Sequence, residues 1–153
     1  MLRNETPTCP TVIRVTSTGS FVCGEAQLER STHERVRAGW LSIRSCDDYP
    51  HLVELVDAVN EFRQLETLFP FVSVGRLCFS RCTEFPYYVD FLIAFWRGQY
   101  SAEATLQRGG WVDTRRLGVG SAKEALAIVA SHIPPDYGPA RIGDASVLFP
   151  ESD

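Results

Sequence analysis

The sequence predicts an α+β fold, a two-layer sandwich in which a mostly antiparallel sheet packs against two main helices. Residues 68–107 are dense in aromatic and β-branched side chains, as expected of successive strands. Segments 52–62 and 122–133 instead repeat apolar residues with the period of a helix. The length of 153 residues predicts a single domain, 1–153, with 1–10 and 140–153 as peripheral segments.

The first part of the chain predicts three strands. Residues 11–17 are rich in β-branched side chains, and segments 21–29 and 36–45 flank a polar stretch. The alternation in 36–45 is imperfect, because Trp40 would point away from the face of Leu41 and Ile43. We nevertheless expect strands in both segments.

The helix at 52–62 has a clear beginning and end. Asp47 or Asp48 can cap it, and Pro50 suits its first turn. Its apolar residues share one face, and they are Leu52, Leu55, Val56, Val59 and Phe62. The helix should end before Pro70.

The rest of the chain alternates strands and turns before a last helix. We expect a strand at 71–81, a loop at 83–88, a hairpin of 90–96 and 99–106 around Arg97-Gly98, and a strand at 111–117. Ser121 and Glu124 form the capping-box pattern at the start of the last helix. Pro134-Pro135 ends this helix, and the tail from 136 onward is expected to lie over the surface.

Charge and hydropathy exclude several classes of protein. The net charge of −4 argues against binding to a nucleic-acid backbone, which normally requires a basic face. The longest apolar run, 89–96, is interrupted by Asp90 and is too short to span a bilayer. The N-terminus carries no apolar stretch typical of a secretory signal. We therefore expect a cytoplasmic protein with no nucleic-acid partner and no membrane partner.

The cysteines and histidines do not form a recognisable metal-binding motif. The five cysteines are an odd number in a chain without an export signal, so we expect free thiols in place of a disulfide framework. No histidine lies near a cysteine pair in the sequence. We therefore expect neither a metal ion nor a cofactor.

Glu103 is the leading candidate for a catalytic residue. It lies between two alanines on a predicted strand, with Ser101 and Thr105 on its own outward face. A partly desolvated carboxyl group at such a position can act as a proton donor. An ordinary solvated glutamate is the alternative, and Glu84 in the loop at 83–88 is a second candidate acid. Ser131 and His132 lie close in sequence to an aspartate, but no nucleophile elbow accompanies them.

Arginine and aromatic side chains are candidates for binding a substrate. Arg97 follows a tryptophan that can stack on its guanidinium group, and Arg115 can hold a carboxylate or a carbonyl oxygen. Tyr88, Tyr100 and Trp111 can stack on a flat ligand. Surface solubility is the alternative role for the arginines, and packing in a core or an interface is the alternative for the aromatic residues.

Large aromatic residues crowd one side of the predicted sheet. Such a surface is more easily buried against another subunit than left in water. We therefore expect a homo-oligomer, for example a trimer.

Three segments carry motifs that point to a family. They are LFPFVSVGRLCFS at 68–80, LGVGSAKEA at 117–125 and IPPDYGPA at 133–140, and the Phe-Pro-Phe-x-Ser…Leu-x-Phe-Ser pattern of the first is the most specific. In these segments the chain resembles small actinobacterial natural-product biosynthesis proteins, and among them the thiopeptide enamide dealkylases of the nosiheptide type. The resemblance covers about the second half of the chain.

The resemblance implies an enzyme that removes the dehydroalanine-bearing C-terminal tail of a thiopeptide and leaves a primary amide. It also implies an acid, and that role is carried onto Glu103. The acid would protonate the methylene carbon of the enamide, water would add to the carbon beside the nitrogen, and the adduct would collapse to a primary amide and a keto fragment. This reaction needs no metal and no cofactor.

Two alternatives without catalysis stay open. The aromatic loop at 85–88 and the aromatic residues of the strands also fit a binding module for a peptide natural product. A third possibility is a subunit whose sheet face serves assembly alone.

Overall fold

A five-stranded antiparallel sheet with helices packed against it confirms the predicted α+β fold. The computed structural model of the chain describes residues 25–106 and 112–149. The helices are α1 (Glu25–Arg44), α2 (Leu52–Val59), α3 (Arg63–Glu66) and α4 (Ala122–His132). The strands are β1 (Phe69–Ser73), β2 (Arg76–Ser80), β3 (Val89–Trp96), β4 (Gln99–Thr105) and β5 (Thr114–Gly120). A short 3₁₀ helix, Ala145–Leu148, follows near the end.

The strands follow one another in the sheet in the order of the sequence. The order is β1-β2-β3-β4-β5, and each strand is antiparallel to its neighbour. The predicted hairpin around Arg97-Gly98 is confirmed as β3 and β4. The segment predicted as one strand at 71–81 is instead two strands, because Val74 and Gly75 both adopt a positive φ (52° and 73°) and reverse the chain.

Helix α1 corrects the prediction for the first part of the chain. Residues 25–29 and 36–44, predicted as strand, belong to this helix, and the strand predicted at 11–17 lies outside the described residues. The buried side chains of α1 include Val36, Trp40 and Ile43. Their spacing of four and three residues places them on one helical face, which explains why the alternation expected of a strand was imperfect.

The helices pack on one face of the sheet. The ring of Trp40 on α1 lies 6.0 Å from the ring of Phe79 on β2. On β5, a Cβ atom at Gly118 would lie only 2.6 Å from the Cδ1 atom of Ile128 on α4. The absence of a side chain at position 118 therefore lets α4 approach the sheet closely.

Both helices predicted from the sequence are present, but the first ends at Val59 and not at Phe62, and its N-cap is His51 in place of Asp47 or Asp48. In α2 the residues Leu52, Leu55, Val56 and Val59 are buried, as their spacing predicts. At the start of α4 the backbone N–H of Glu124 donates to the Ser121 hydroxyl (3.2 Å), and the Ser121 N–H donates to the Glu124 carboxylate (3.1 Å). The predicted capping box is thus confirmed.

The segment after α4 enters the core, whereas the sequence predicted a peripheral tail. Tyr137 and Ala140 are both buried. The Ala140 N–H donates to the carbonyl oxygen of Thr67 (2.9 Å), and the Arg141 N–H donates to the carbonyl oxygen of Arg81 (2.9 Å). Residues 137–141 therefore form part of the packed domain.

The cysteines follow the prediction only in part. Cys78 and Cys82 are buried free thiols, and burial raises the pKa of Cys78 to about 12. Cys46 is disulfide-bonded, so the expectation of a free thiol is wrong for that residue.

None of the helices within 25–106 and 112–149 has the length and apolar character needed to cross a membrane.

Replacing Ser121 by alanine should destabilise the protein by about 1 kcal/mol, because the N–H of Glu124 at the start of α4 loses its acceptor. Urea unfolding followed by circular dichroism measures the loss.

Ser131→Ala is the matched control for this change. The Ser131 hydroxyl donates to the carbonyl oxygen of Ile128 and lies 3.2 Å from the Nδ1 atom of His132, both at the exposed end of α4, so its loss should change stability by less than about 0.5 kcal/mol. Hydrogen bonds from Ser121 lower the pKa of Glu124. The contribution of the capping box to the stability of the protein is therefore fully present at a pH above the ordinary carboxyl pKa. It should be lost as the pH falls through the lowered pKa of Glu124. Equal losses in both serine variants would contradict the capping role.

Candidate functional site

A cleft opens where the ends of β3, β4 and β5 meet the end of α4. We call it the polar cleft, and its volume is about 450 Å³. Charged, aromatic and small side chains from five segments line it, namely Arg81, Tyr88, Asp90, Phe91, Ala104, Arg115, His132, Pro134 and Tyr137.

Arg81, Tyr137 and Asp90 form a connected wall of the polar cleft. The Arg81 Nε donates to the backbone oxygen of Tyr137 (3.1 Å), and its guanidinium carbon lies 4.6 Å from the centre of the Tyr137 ring. The Tyr137 hydroxyl donates to the Asp90 carboxylate (2.7 Å). Burial, and then the nearby charge of Asp90, raise the pKa of Tyr137, so its hydroxyl stays protonated and remains a donor.

His132 contributes an imidazole ring to the polar cleft. Its Nδ1 atom lies 2.8 Å from the carbonyl oxygen of Ile128. Because a carbonyl oxygen only accepts hydrogen bonds, Nδ1 must carry a proton in this contact. In the neutral ring the Nε2 atom therefore keeps its lone pair and can accept a hydrogen bond or a proton.

The guanidinium groups of Arg81 and Arg115 are available to an anion. Within the described part of the chain, neither forms an ion pair. Asp90, the one carboxylate among the described lining residues, accepts a hydrogen bond from Tyr137. Arginine binds carboxylates with two parallel hydrogen bonds where geometry permits. The cleft is therefore suited to an anionic group flanked by aromatic surface.

The structure brings Tyr88 and Arg115, two of the predicted substrate-binding residues, together in the polar cleft. Tyr100 is elsewhere and buried, and its hydroxyl donates to the backbone oxygen of His51 (2.7 Å). Burial raises the pKa of Tyr100 to about 12. Arg97 lies in the turn between β3 and β4, with its guanidinium carbon 5.3 Å from the centre of the Trp96 ring. Trp111 lies outside the described residues.

Glu103 lies on β4 and on the sheet face opposite the polar cleft. Its neighbour Ala104 lines the cleft, and successive side chains of a strand point to opposite faces. The Glu103 carboxyl is half-buried and accepts a hydrogen bond from the Thr114 hydroxyl (2.6 Å). Arg116 of β5 is its cross-strand partner. The predicted catalytic residue and the predicted ligand-binding residues of the cleft are thus separated by the sheet.

Two neighbours of Glu103 differ from the alternation predicted for this strand. Ser101, expected to face outward, is buried, and its hydroxyl accepts a hydrogen bond from the Arg116 Nε (3.2 Å). Leu106, expected in the core, is 60% exposed, because β4 ends at Thr105.

Glu84, the second candidate acid, is an exposed residue paired with α1. Its carboxylate lies 3.2 Å from the Arg35 Nη1 atom. The two side chains are both solvent-accessible, so this ion pair is a weak tether between the loop after β2 and the helix.

Sequence reasoning missed the residues that build most of the polar cleft. Arg81, Asp90, His132 and Tyr137 come from segments up to 56 positions apart, as the Arg81–Tyr137 contact illustrates. They share no local motif, and only the fold brings them together. The one available signal was the pair of prolines after α4, which ends the helix at His132 and turns the chain back toward β2.

In the ranges 25–106 and 112–149, no cluster of three or more histidine, cysteine, aspartate or glutamate residues is placed to hold a metal ion.

Comparison with known proteins gives one match. The model of a family of unknown function, DUF6193, matches residues 34–144. This range contains most of α1, all the strands, α4 and every residue that lines the polar cleft. No curated protein and no solved structure matches the chain.

Replacing Tyr137 by phenylalanine should destabilise the protein by about 1–3 kcal/mol, because Asp90 loses its hydrogen-bond donor while remaining part of the cleft wall. Chemical denaturation of the full chain measures the difference.

Tyr87→Phe is the matched control. The Tyr87 ring stacks on Phe71 with centroids 4.1 Å apart, while its buried hydroxyl has no hydrogen-bond partner among the described residues. Removing that hydroxyl should leave stability unchanged or raise it. A Tyr137→Phe variant as stable as Tyr87→Phe would show that the Tyr137–Asp90 hydrogen bond contributes nothing.

Proposed function

The chain belongs to DUF6193, a family of unknown function, and we propose that it is a binding module for a peptide natural product whose carboxylate it holds in the polar cleft. The observation that carries the proposal is the presence of two guanidinium groups, those of Arg81 and Arg115, in one concave site without a carboxylate partner among the described residues. A carboxylate is the group that such a pair binds best.

The remaining lining of the polar cleft supports a peptide end as the ligand. Tyr88 and Phe91 supply aromatic surface beside the arginines, and the Tyr137 ring lies against the Arg81 guanidinium in the same wall. The volume of about 450 Å³ lies in the range of small-ligand pockets, roughly 300–1,000 Å³. The cleft would therefore take the terminal residues of a peptide and leave its body outside.

A second candidate function is enamide dealkylation of a thiopeptide tail, with Glu103 as the general acid. Its carboxyl group is half-buried and accepts a hydrogen bond from the Thr114 hydroxyl (2.6 Å), which holds the acid in one position on the face of the sheet. Protonation of the enamide methylene carbon would be followed by addition of water beside the nitrogen and collapse to the amide and a keto fragment. In this proposal the Glu103 face becomes a pocket when subunits assemble.

The oligomeric state and the location proposed for the protein are those predicted from the sequence. The homo-oligomer, for example a trimer, and the cytoplasmic location stay predictions. Exposed apolar side chains on the sheet and its turns, among them Trp96 and Val119, are compatible with assembly.

Arg115→Ala should weaken binding of a synthetic peptide that ends in a dehydroalanine tail with a free carboxylate by about tenfold, because one of two charge-assisted contacts is lost. Isothermal titration calorimetry on the full chain measures the dissociation constant. The same peptide as a C-terminal amide should bind more weakly by a similar factor.

Arg116→Ala is the control for charge and strand position. Arg116 is the next residue of β5, so it points to the opposite face of the sheet and donates to Ser101 there. Its loss should leave peptide binding unchanged. Equal effects of the two substitutions, or equal binding of acid and amide, would rule out carboxylate recognition in the cleft.

Glu103→Gln tests the second candidate. If the protein is a dealkylase, incubation with a dehydroalanine-tailed thiopeptide should produce a mass loss equal to the removed fragment, and the substitution should slow the reaction about 10²–10⁴-fold. Mass spectrometry follows the reaction, and circular dichroism checks that the variant is folded. Glu84→Gln, which alters an exposed acid paired with Arg35, should retain the wild-type rate.

Calorimetry of peptide binding and the mass-spectrometric assay together distinguish the binding module from the dealkylase. Binding of the acid peptide with no change in its mass supports the binding module. A folded Glu103→Gln variant with full activity would remove Glu103 from the mechanism.

A further inference from the structure

A second and larger cavity lies between α1, α2 and the segment 139–142. We call it the helical groove, and its volume is about 1150 Å³. Among the described residues, the polar cleft and the helical groove share no lining residue, because the cleft ends at Tyr137 and the groove begins at Pro139 along this segment. The helical groove is therefore a separate place for a ligand.

Apolar side chains of the two helices form the floor of the helical groove. Val36 and Trp40 come from α1, and Val56 and Val59 come from α2; all four belong to the buried core. Leu41 extends this apolar surface to the rim and is 56% exposed. A concave site with an apolar floor is typical of pockets that bind an apolar ligand.

The floor and the wall of the groove are held in place by hydrogen bonds. The Trp40 Nε1 donates to the backbone oxygen of Glu66 (3.1 Å), which fixes the indole ring. On the other side, the Thr83 N–H donates to the carbonyl oxygen of Arg141 (3.0 Å), and the Arg141 N–H donates to that of Arg81 (2.9 Å). The groove is thus a preformed cavity, which lowers the entropic cost of binding.

The charged residues of the groove leave an excess of positive charge. Arg44 is paired with Asp57 (2.6 Å). Arg37 and Arg141 form no ion pair in the described part of the chain, and Glu66 is the one other acidic residue of the lining. Two arginines against one glutamate give a net charge of about +1 at the rim, on a chain whose total is −4.

We propose that the helical groove binds an amphiphilic carboxylate, a single alkyl chain that lies on the apolar floor and presents its anionic end to Arg37 and Arg141. The apolar floor selects the alkyl chain, and Arg37 and Arg141 select the charge of the head group. This inference does not depend on the polar cleft, because the ligand, the elements and the arginines are different.

The test uses dodecanoate below its micelle concentration, titrated into the full chain by isothermal calorimetry. Saturable binding with one site is expected. Arg37→Ala should weaken it about tenfold through loss of one charge-assisted contact, and Leu41→Glu should abolish measurable binding by placing a like charge on the rim. Dodecanol, which has the same chain without the carboxylate, should bind more weakly by about tenfold.

Arg63→Ala is the matched control, because Arg63 is an exposed arginine of α3 outside the groove lining. Its loss should leave dodecanoate binding unchanged. The proposal is overturned if dodecanoate shows no saturable binding to the wild-type protein, if Leu41→Glu binds as well as wild type, or if Arg63→Ala weakens binding as much as Arg37→Ala. Equal binding of dodecanol and dodecanoate would overturn the assignment of the arginines.

The outcome is independent of the peptide experiments. Arg115→Ala should bind dodecanoate normally, and Arg37→Ala should bind the carboxylate-ended peptide normally. A failure at one cavity therefore leaves the result at the other unchanged.

Discussion

Both cavities depend on the way residues 137–141 are held against Arg81. The Arg81 backbone oxygen accepts the N–H of Arg141, while its side-chain Nε donates to the backbone oxygen of Tyr137. One residue at the end of β2 thus fixes the returning chain at two points, four positions apart. The same segment supplies Tyr137 to the polar cleft, and Pro139 to Ile142 to the helical groove. Without this attachment neither cavity would have its wall.

The attachment is coupled to the core through buried groups. Ala140, between the two anchored positions, is buried and donates its N–H to the carbonyl oxygen of Thr67 at the end of α3. The chain is therefore tied to a helix on one side and to the sheet on the other. Because buried backbone groups that lose their partners are costly, the segment cannot detach locally without exposing several donors and acceptors at once. The cavities are accordingly expected to be rigid features of the domain.

The chain as a whole is acidic, with a net charge of −4. Arg44 and Arg35 form ion pairs with Asp57 and Glu84. Other arginines line the two cavities and form no ion pair among the described residues, namely Arg37, Arg81, Arg115 and Arg141. Local attraction of an anion at these points has to overcome the repulsion of the whole molecule at longer range, which favours ligands that also gain apolar contact.

The sequence correctly predicted the elements that depend on residues close together in the chain. The capping box of Ser121 and Glu124, the apolar face of α2 and the β3–β4 hairpin all depend on residues a few positions apart, and all are confirmed. Helix α1 was missed because three of its buried residues, Val36, Trp40 and Ile43, are accompanied by polar neighbours that also fit a poor strand pattern. The polar cleft could not be predicted, since its members meet only after the chain returns from α4 to β2.

The alternation of side chains along a strand explains why the predicted site residues lie on two different faces of the sheet. The prediction for Glu103 rests on its outward position on β4, and that for Arg115 rests on the ability of its guanidinium group to hold a carboxylate or a carbonyl oxygen. In the sheet, however, the register shift between Ala102 and Glu103 sets Glu103 opposite Arg116, and Ala104 opposite Arg115. The acid and the cleft arginine therefore point to opposite faces. A ligand held by Arg115 cannot reach Glu103 of the same subunit, so a mechanism that uses both requires a second subunit to bring its own Glu103 face to the cleft.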